Sequence, residues 1–368
     1  MSRNVSRRDL LVGSATLPFA AAGAGLLLPT AAAAQTNLLG GTNDLRQGGE
    51  LQIPDGQTVL PRPFRFAGQR LNLRGVGANA STIRFDPSAP AAAIELNTPG
   101  PGGQFQSSVT GLGFVSGNGV DKTAIRLVNV ANVNIERVGI ASGNWLGAGS
   151  IGIHTAGRQM VRIRDCDIVC ARPIVISRNP VHPGIAADFF EIHQCELISS
   201  VPEGVCIEVE DGVVLSNIAV RDTALVGGLH GFRFNDRSSV GVSHQIEFEN
   251  VRTEQGTDLD GWSFDIGSTA QSIQNILFQS VRCEPGRNGI RIRNGQRITM
   301  INVDIDQRGG RTALDIAFVP GTILTIIGGF AQVGSSVRLA KARKVIGVES
   351  SIGGPMGPME VWVYDREA

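Results

Sequence analysis

The chain has 368 residues, a formal net charge of zero and 42% hydrophobic residues, which excludes an intrinsically disordered protein and provides for a large core. Zero net charge gives no support to nucleic acid or to an anionic membrane surface as a partner. The 47 glycines, and the scarcity of helix-favouring runs of Leu, Glu, Lys and Ala after residue 40, are typical of an all-β chain with many tight turns.

Residues 1–34 have the features of a targeting segment. Arg7 and Arg8 precede a moderately apolar stretch that ends in a run of alanines, and this arrangement resembles a twin-arginine export signal. A membrane anchor is the alternative, but residues 17–28 are too short and too rich in Ala and Gly to span a bilayer. We therefore expect the mature domain, residues 35–368, to be periplasmic or secreted. Its partner during export is the twin-arginine translocation machinery, with no membrane contact after signal removal.

A repeat of 22 to 30 residues runs through the mature chain. One unit, apolar-x-apolar-x-(Asn/Asp)-x-x-apolar, alternates with a second unit, Gly-apolar-x-apolar. The copies of the first unit are residues 133–140, 161–168, 190–197, 218–225, 246–253, 276–283 and 298–305. Period-two alternation inside a repeat of this length predicts short strands stacked coil upon coil.

The predicted fold is all-β, a single-stranded right-handed parallel β-helix of about ten coils. Helical solenoids are excluded because no unit shows the i, i+3, i+4 pattern of a helix, and a propeller blade needs a longer repeat. We expect residues 35–85 to form the N-terminal cap and first coil, and residues 342–368 to form the C-terminal cap. The Asn/Asp position falls at a tight bend between strands that favours a left-handed residue. Its examples are Asp165, Asp222, Asn250 and Asn302.

The repeat resembles the right-handed, pectate-lyase-like superfamily, which includes pectate lyases, polygalacturonases, alginate lyases and epimerases. Residues 74–85, RGVGANASTIRF, look like the early coil of that superfamily, where a glycine turn precedes a strand. The resemblance covers nearly the whole mature chain. It implies the β-helix and a polysaccharide as substrate or ligand, while the activity must be argued from the residues.

Three polar residues are the candidates for catalysis. When the Gly-led units are aligned on their glycines, Glu203, His230 and Asp260 fall in one row, each just before the glycine. Coils of a β-helix lie about 4.8 Å apart, so the backbones of Glu203 and Asp260 would be about 9–10 Å apart with the histidine between them. Inverting glycosidases place two carboxyl groups at roughly 6.5–9.5 Å. The row therefore predicts acid–base chemistry.

The same surface supplies candidate substrate-binding residues. Arginines suit the carboxylates of uronate sugars, and Trp145, in the turn 142–150, is expected to be an exposed aromatic on which a sugar ring stacks. The complete set of substrate-binding candidates is Trp145, Glu208, Arg233, Asp265, Arg291 and Arg293. We expect Glu208 and Asp265 to share one outward column and Arg233 and Arg291 to share another, with Trp262 in the core.

The resemblance leaves hydrolysis and β-elimination open. LHG at 229–231 and RIR at 291–293 look like two elements of the polygalacturonase site, but its Asn-Thr-Asp and Asp-Asp elements do not precede His230. Elimination would use a base such as His230 or an arginine. No cofactor is expected, except that a lyase reaction would call for calcium.

We expect an exported carbohydrate-active enzyme, of the lyase, hydrolase or epimerase type. The alternative is a non-catalytic β-helix for polysaccharide binding or envelope structure, because charged ladders also keep any exposed solenoid sheet soluble. The opposite outward face is nearly as charged. Its charged residues are Arg162, Arg164, Glu191, His193, Arg221, Glu247 and Glu249.

The five cysteines predict no metal site, since no CxxC or His/Cys zinc spacing occurs. Cys166 and Cys195 occupy the same inward slot of adjacent coils and should stack in the core. A disulfide would fit that geometry, and buried thiols are the preferred interpretation.

Overall fold

The fold is a parallel β-helix, seen in a computed structural model. The described residues are 49–68, 70–97, 106–156, 159–184, 186–236, 245–254, 260–268, 273–284, 287–306, 311–318, 323–331, 336–340, 344–348 and 361–365. The export signal expected at residues 1–34 lies outside them. Among the described residues no α-helix occurs, and none is present that is long and apolar enough to cross a membrane.

Each coil contributes one strand to each of three faces, which we number in the order the chain visits them. The first face consists of Gly49–Gln52, Leu71–Arg74, Ser107–Thr110, Ala131–Glu136, Gln159–Arg164, Asp188–His193, Asn217–Arg221, Gln245–Glu249, Ile273–Gln279, the latter half of Asn288–Ile301, Ile323–Ile327 and Lys344–Val348. The strand Val361–Asp365 pairs antiparallel with Lys344–Val348 beyond the last coil.

The second face follows the first after a tight bend. Its strands are Gly56–Leu60, Ser81–Phe85, Gly113–Val115, Gly139–Ile140, Asp167–Cys170, Glu196–Ser199, Ala224–Gly227, Arg252–Glu254, Arg282–Cys283, Asp304–Ile305 and Phe330–Ala331. They form an 11-stranded sheet with one strand from each described coil. The expectation of about ten stacked coils in an all-β chain is therefore confirmed.

The third face closes each coil and, with the first, belongs to a larger sheet. Its strands are Phe64–Ala67, Ala91–Asn97, Lys122–Val128, Ile151–Ala156, Arg172–Ile176, Val205–Val209, His230–Asp236, Trp262–Ser268, the initial half of Asn288–Ile301, Thr312–Phe318 and Ser336–Ala340. Asn288–Ile301 is one continuous strand of 14 residues. Its initial half lies on the third face and its latter half on the first.

The bend between the first and second faces is a ladder of left-handed residues. Asp165, Asp222, Asn250 and Asn302 have φ between 47° and 52°, as the sequence predicts. The equivalent positions in other coils are also left-handed even where the residue is Arg137, Gln194 or Ser280. The fold imposes this conformation whatever the side chain, and Asn or Asp adopts it most easily.

Stacked apolar side chains fill the interior. Phe248 on the first face stacks on Phe278 of the next coil with ring centroids 5.0 Å apart. It also meets Phe232 and Phe264 of the third face edge to face, at 4.9 and 4.7 Å. Each fully buried phenylalanine contributes about 2–3 kcal/mol. Because the core holds the coils in register, it also fixes which outward side chains become neighbours.

The cysteines of the described residues are buried and free. Cys166 and Cys195 stack in adjacent coils as predicted, 2% and 4% exposed. Their mutual hydrogen bond and burial raise the pKa of the Cys166 thiol well above its usual value. Cys166 is therefore an uncharged member of the core, and Cys195 is packed beside it.

Candidate functional site on the third face

The strand register overturns the alignment of the Gly-led units. His230 pairs with Val205 on one side and with Trp262 on the other. It therefore lies two positions beyond Glu203 and Asp260 along the strands. The expectation that Glu203, His230 and Asp260 share one row is wrong.

The alignment is wrong by two residues because the glycines occupy two different positions in the coil. Gly231 faces inward, where a Cβ would lie 2.7 Å from the carbonyl oxygen of Ser263. Gly204 instead lies at the turn, where its own carbonyl oxygen accepts a hydrogen bond from the Leu229 N–H at 2.7 Å. A pattern of Gly followed by alternating apolar residues is the same in both cases, so the sequence alone gives no sign of the two-residue offset.

Glu203 and Asp260 are both exposed, at the edge where the chain enters the third face. Glu203 immediately precedes Gly204, and Asp260 immediately precedes Gly261. His230 is buried, with 6% of its surface exposed. The two carboxylates thus border the third face, while the histidine is set into it.

The corrected register reveals one ladder of outward residues across the third face. The ladder runs through Arg65, Glu95, Arg126, His154, Val175, Glu208, Arg233, Asp265, Arg291 and Asp315. Positive and negative residues alternate on both sides of the His154–Val175 break. The expected separation of Glu208 and Asp265 from Arg233 and Arg291 into two columns is therefore wrong, because the two-residue offset brings all four into one row.

Asp265 is the most buried charge of the ladder. Its side chain is only 6% exposed and accepts two hydrogen bonds from Arg291, at 2.8 and 2.6 Å, and one from Arg293 at 3.1 Å. Burial alone would raise its pKa, but the hydrogen bonds and charge of Arg291, together with the charge of Arg293, lower it. Asp265 is therefore a fixed anion that positions two guanidinium groups.

Glu208 has the same role two coils earlier in the ladder. Its carboxylate lies 2.7 Å from Arg172 and 3.8 Å from Arg233. Arg172 also contacts Glu210 at 2.9 Å. The sequence did not single out Arg172, because its strand begins Arg-Pro and lacks the leading glycine. Each of the two inner carboxylates, Glu208 and Asp265, is thus shared by two guanidinium groups.

His230 is held neutral. Its Nδ1 accepts a hydrogen bond from the Trp262 backbone N–H at 3.2 Å, which places the ring proton on Nε2. Burial, with smaller contributions from Arg233 and Arg291, lowers its pKa to about 4. At neutral pH this side chain offers a hydrogen-bond donor and carries no charge, so it suits ligand binding better than proton abstraction.

Trp262 is 6% exposed and is one of the buried hydrophobic residues of the core, although it lies outside the main cluster of contacting core side chains. The guanidinium of Arg291 lies over its ring, 4.8 Å from the centroid. The expectation that Trp262 is a core residue is therefore confirmed. Its ring also supports the arginine that binds Asp265.

The expectation of an exposed Trp145 is wrong. Trp145 is 2% exposed and packs edge to face against Phe114, with centroids 5.9 Å apart. Its Nε1–H donates to the carbonyl oxygen of Ile151 at 3.2 Å. Lys122 lies 5.6 Å above the ring. The turn folds back over the coil and covers its own aromatic residue, so Trp145 presents no ring for stacking.

Arg65 and Arg126 are among the accessible guanidinium groups of this surface, and two further ones lie in the coils next to Asp265. The side chains of Arg233 and Arg293 are 39% and 40% exposed. Among the described residues no group of three or more His, Cys, Asp or Glu side chains is arranged to hold a metal ion. Around Asp265 the third face therefore presents two half-exposed arginines, with the buried, neutral His230 set into the surface and exposed Glu203 and Asp260 at its edge.

No protein-family model matches this sequence, and no curated protein matches it. Solved structures that align with the chain include the A-module of the Azotobacter vinelandii mannuronan C-5 epimerase AlgE4, at 13% identity and TM-score 0.49, covering 89% of this chain and 92% of that one. The catalytic domain of a GH87 alpha-1,3-glucanase in complex with tetrasaccharides aligns at 12% identity and TM-score 0.37, covering 84% of this chain. This chain spans 62% of that domain's length.

Proposed function

We propose that this protein is an exported, carbohydrate-active β-helix protein whose third face binds an acidic polysaccharide. The observation that carries the proposal is the pair of half-exposed guanidinium groups, Arg233 and Arg293, next to the neutral donor His230. Guanidinium groups bind carboxylates through paired hydrogen bonds. A chain of uronate residues lying across the coils would present carboxylates to both arginines.

The fixed anions beneath these arginines support binding. Asp265 and Glu208 hold the guanidinium groups in place before any ligand arrives, which lowers the entropy lost on binding. The Trp262 ring beneath Arg291 adds to the same rigidity. A surface of this kind is preorganised, whereas unpaired surface arginines would have to be ordered by the ligand.

Catalysis is the second candidate, and the exposure of Glu203 and Asp260 favours it. Both carboxylates border the third face, where a bound polymer could reach them. In the catalytic version of the proposal they supply the acid–base pair for a lyase, hydrolase or epimerase reaction, with the arginines binding substrate. In the non-catalytic version they are solvated turn residues.

Binding is tested by titrating the mature protein with polygalacturonate and alginate, and with dextran as the uncharged control. We expect binding of at least one acidic polymer that weakens as salt is added. The double variant Arg233→Ala/Arg293→Ala should weaken it about tenfold or more. The matched control is Arg65→Ala/Arg126→Ala, which removes two arginines of the same ladder several coils away. Equal loss in both double variants would contradict the proposal.

Catalysis is tested on the same polymers by two assays in parallel. Ultraviolet absorbance detects the unsaturated uronates that a lyase releases, and a reducing-end assay detects hydrolysis as well. An epimerase would show neither and would change the polymer's proton NMR spectrum. Activity that survives Glu203→Gln and Asp260→Asn together would remove these residues from the catalytic proposal and leave the binding proposal standing.

A further inference from the structure

The first face has a depression that the sequence pattern gives no reason to expect. It has a volume of about 250 Å³ and is bordered by Arg162, Phe189, Glu191, Asn217, Arg221 and Glu247. The sequence predicts only an evenly charged surface for these strands.

The depression exists because one small residue interrupts a row of long ones. The outward row runs Arg162, Glu191, Ala219, Glu247 across successive coils. Ala219 therefore stands between two glutamates, whose backbones are about 9–10 Å apart. The missing side chain leaves a hollow about one side chain deep, with a carboxylate on either side.

An exposed aromatic ring stands beside this hollow. Phe189 is 56% exposed and has a left-handed backbone, with φ 53°. The equivalent positions Asn132, Met160, Asn275 and Arg297 are left-handed too. Asparagine tolerates this conformation, whereas for a bulky residue it is strained. The left-handed step therefore recurs in several coils, and in this coil it carries an aromatic ring that is held out into solvent.

The charges around the hollow are already paired with each other. Arg164 donates two hydrogen bonds of 2.8 Å to Glu191, and Arg221 lies 2.9 Å from Glu247. The two carboxylates on either side of Ala219 would repel an acidic ligand. An uncharged ligand with many hydroxyl groups would instead use the remaining lone pairs and N–H groups, with the Asn217 amide close by.

We propose that this hollow is a second saccharide-binding site, which takes one ring of a neutral oligosaccharide. The apolar face of a pyranose, formed by its C–H groups, stacks on Phe189, and its hydroxyl groups reach Glu191, Glu247 and Asn217 over the floor made by Ala219. The site goes beyond the proposed function, because it lies on a different face and selects an uncharged sugar.

The test uses neutral hexasaccharides of β-1,4-, β-1,3- and α-1,4-linked glucose as probes, with saturation-transfer NMR and titration calorimetry on the mature protein. At least one should bind to the wild-type protein, and Phe189→Ala should weaken that binding about tenfold. Ala219→Leu, which fills the hollow from an outward position, should abolish it. The matched control is Phe330→Ala, because Phe330 is a similarly exposed phenylalanine, 45%, on the second face.

Three outcomes would overturn the inference. They are the absence of binding by every probe, binding unchanged in both Phe189→Ala and Ala219→Leu, and an equal loss in Phe330→Ala. Circular dichroism and unfolding curves of each variant show whether the fold persists. The Arg233→Ala/Arg293→Ala variant should bind the neutral probes normally, so failure of the acidic-polymer proposal and failure of this one are distinguishable.

Discussion

The first and third faces of this β-helix are built from the same repeat, yet their outward charged residues are arranged differently. On the third face, charges alternate along one ladder, and the inner carboxylates Glu208 and Asp265 are each shared by two arginines. On the first face, Ala219 interrupts the row and leaves a hollow beside an exposed phenylalanine. Similar composition therefore gives one surface with a ladder of paired charges and one surface with a hollow between two glutamates.

Removal of the most buried charge should give the largest difference in stability between the two faces. Asp265→Asn leaves Arg291 and Arg293 half-buried without their anion, so we expect the free energy of unfolding to fall by about 3 kcal/mol. The first-face control is Glu249→Gln, whose side chain is 50% exposed and pairs with Arg221. That change should cost less than about 1 kcal/mol. Urea unfolding of both variants is the measurement, and equal losses would contradict the account.

The pH dependence of stability should reveal the neutral histidine of the third face. His230 has a folded pKa of about 4 against 6.5 in the unfolded chain. The unfolded state therefore binds a proton that the native state does not, and stability falls as the pH drops from about 6.5 towards 4. The contribution is on the order of 2–3 kcal/mol.

The variant His230→Gln should flatten that slope. His154, whose pKa burial also lowers to about 4, would leave some of it in place. Asp265 has a lowered pKa, so the stability it contributes is lost only when the pH falls below the usual range of a carboxylic acid, outside this window. If stability depends on pH identically in the wild-type protein and in His230→Gln between pH 6.5 and 4, the lowered pKa of His230 is contradicted.

A smaller effect is expected at the ladder of left-handed residues that joins the first face to the second. Ser280 has φ 52° at a position where other coils carry Asn or Asp. Ser280→Val should destabilise the fold by about 1–2 kcal/mol, because a β-branched residue resists the left-handed conformation. Ser280→Gly should be neutral or stabilising. Thermal unfolding of both variants checks this, and a tolerated valine would show that the bend is not set by backbone preference.

The smallest expected change is a gain. Phe189→Asn replaces a strained, exposed aromatic with the residue that two other coils use at this step, so unfolding should require up to about 1 kcal/mol more. The same variant should lose the neutral-saccharide binding of the first face. A loss of stability in Phe189→Asn would mean that the phenylalanine serves packing, and the argument from backbone strain would fail.

The fold was predictable from the sequence because its signal is repeated in every coil. Alternating apolar residues and the left-handed bend at Asp165, Asp222, Asn250 and Asn302 recur at similar spacing. Each copy reinforces the others, and apolar burial enforces the same inward direction. The stacking of Cys166 on Cys195 follows from the same register.

The site was less predictable, because register between coils depends on turns of unequal length. A two-residue offset preserves the inward–outward alternation, so it cannot be detected from the pattern of apolar residues. That offset removed His230 from the row of Glu203 and Asp260, and it joined Arg233 and Arg291 to Glu208 and Asp265. Trp145 was misassigned for a similar reason, since the sequence does not show that its turn folds back onto Phe114.

Hydrogen–deuterium exchange with and without bound acidic polymer tests the central claim most directly. If the third face binds the polymer, the segments 205–209, 230–234 and 288–293 should exchange more slowly in the complex. The first-face segments 190–193, 217–221 and 245–249 should keep their rates. Protection confined to the first face, or no protection at saturating polymer, would contradict the assignment of the two faces.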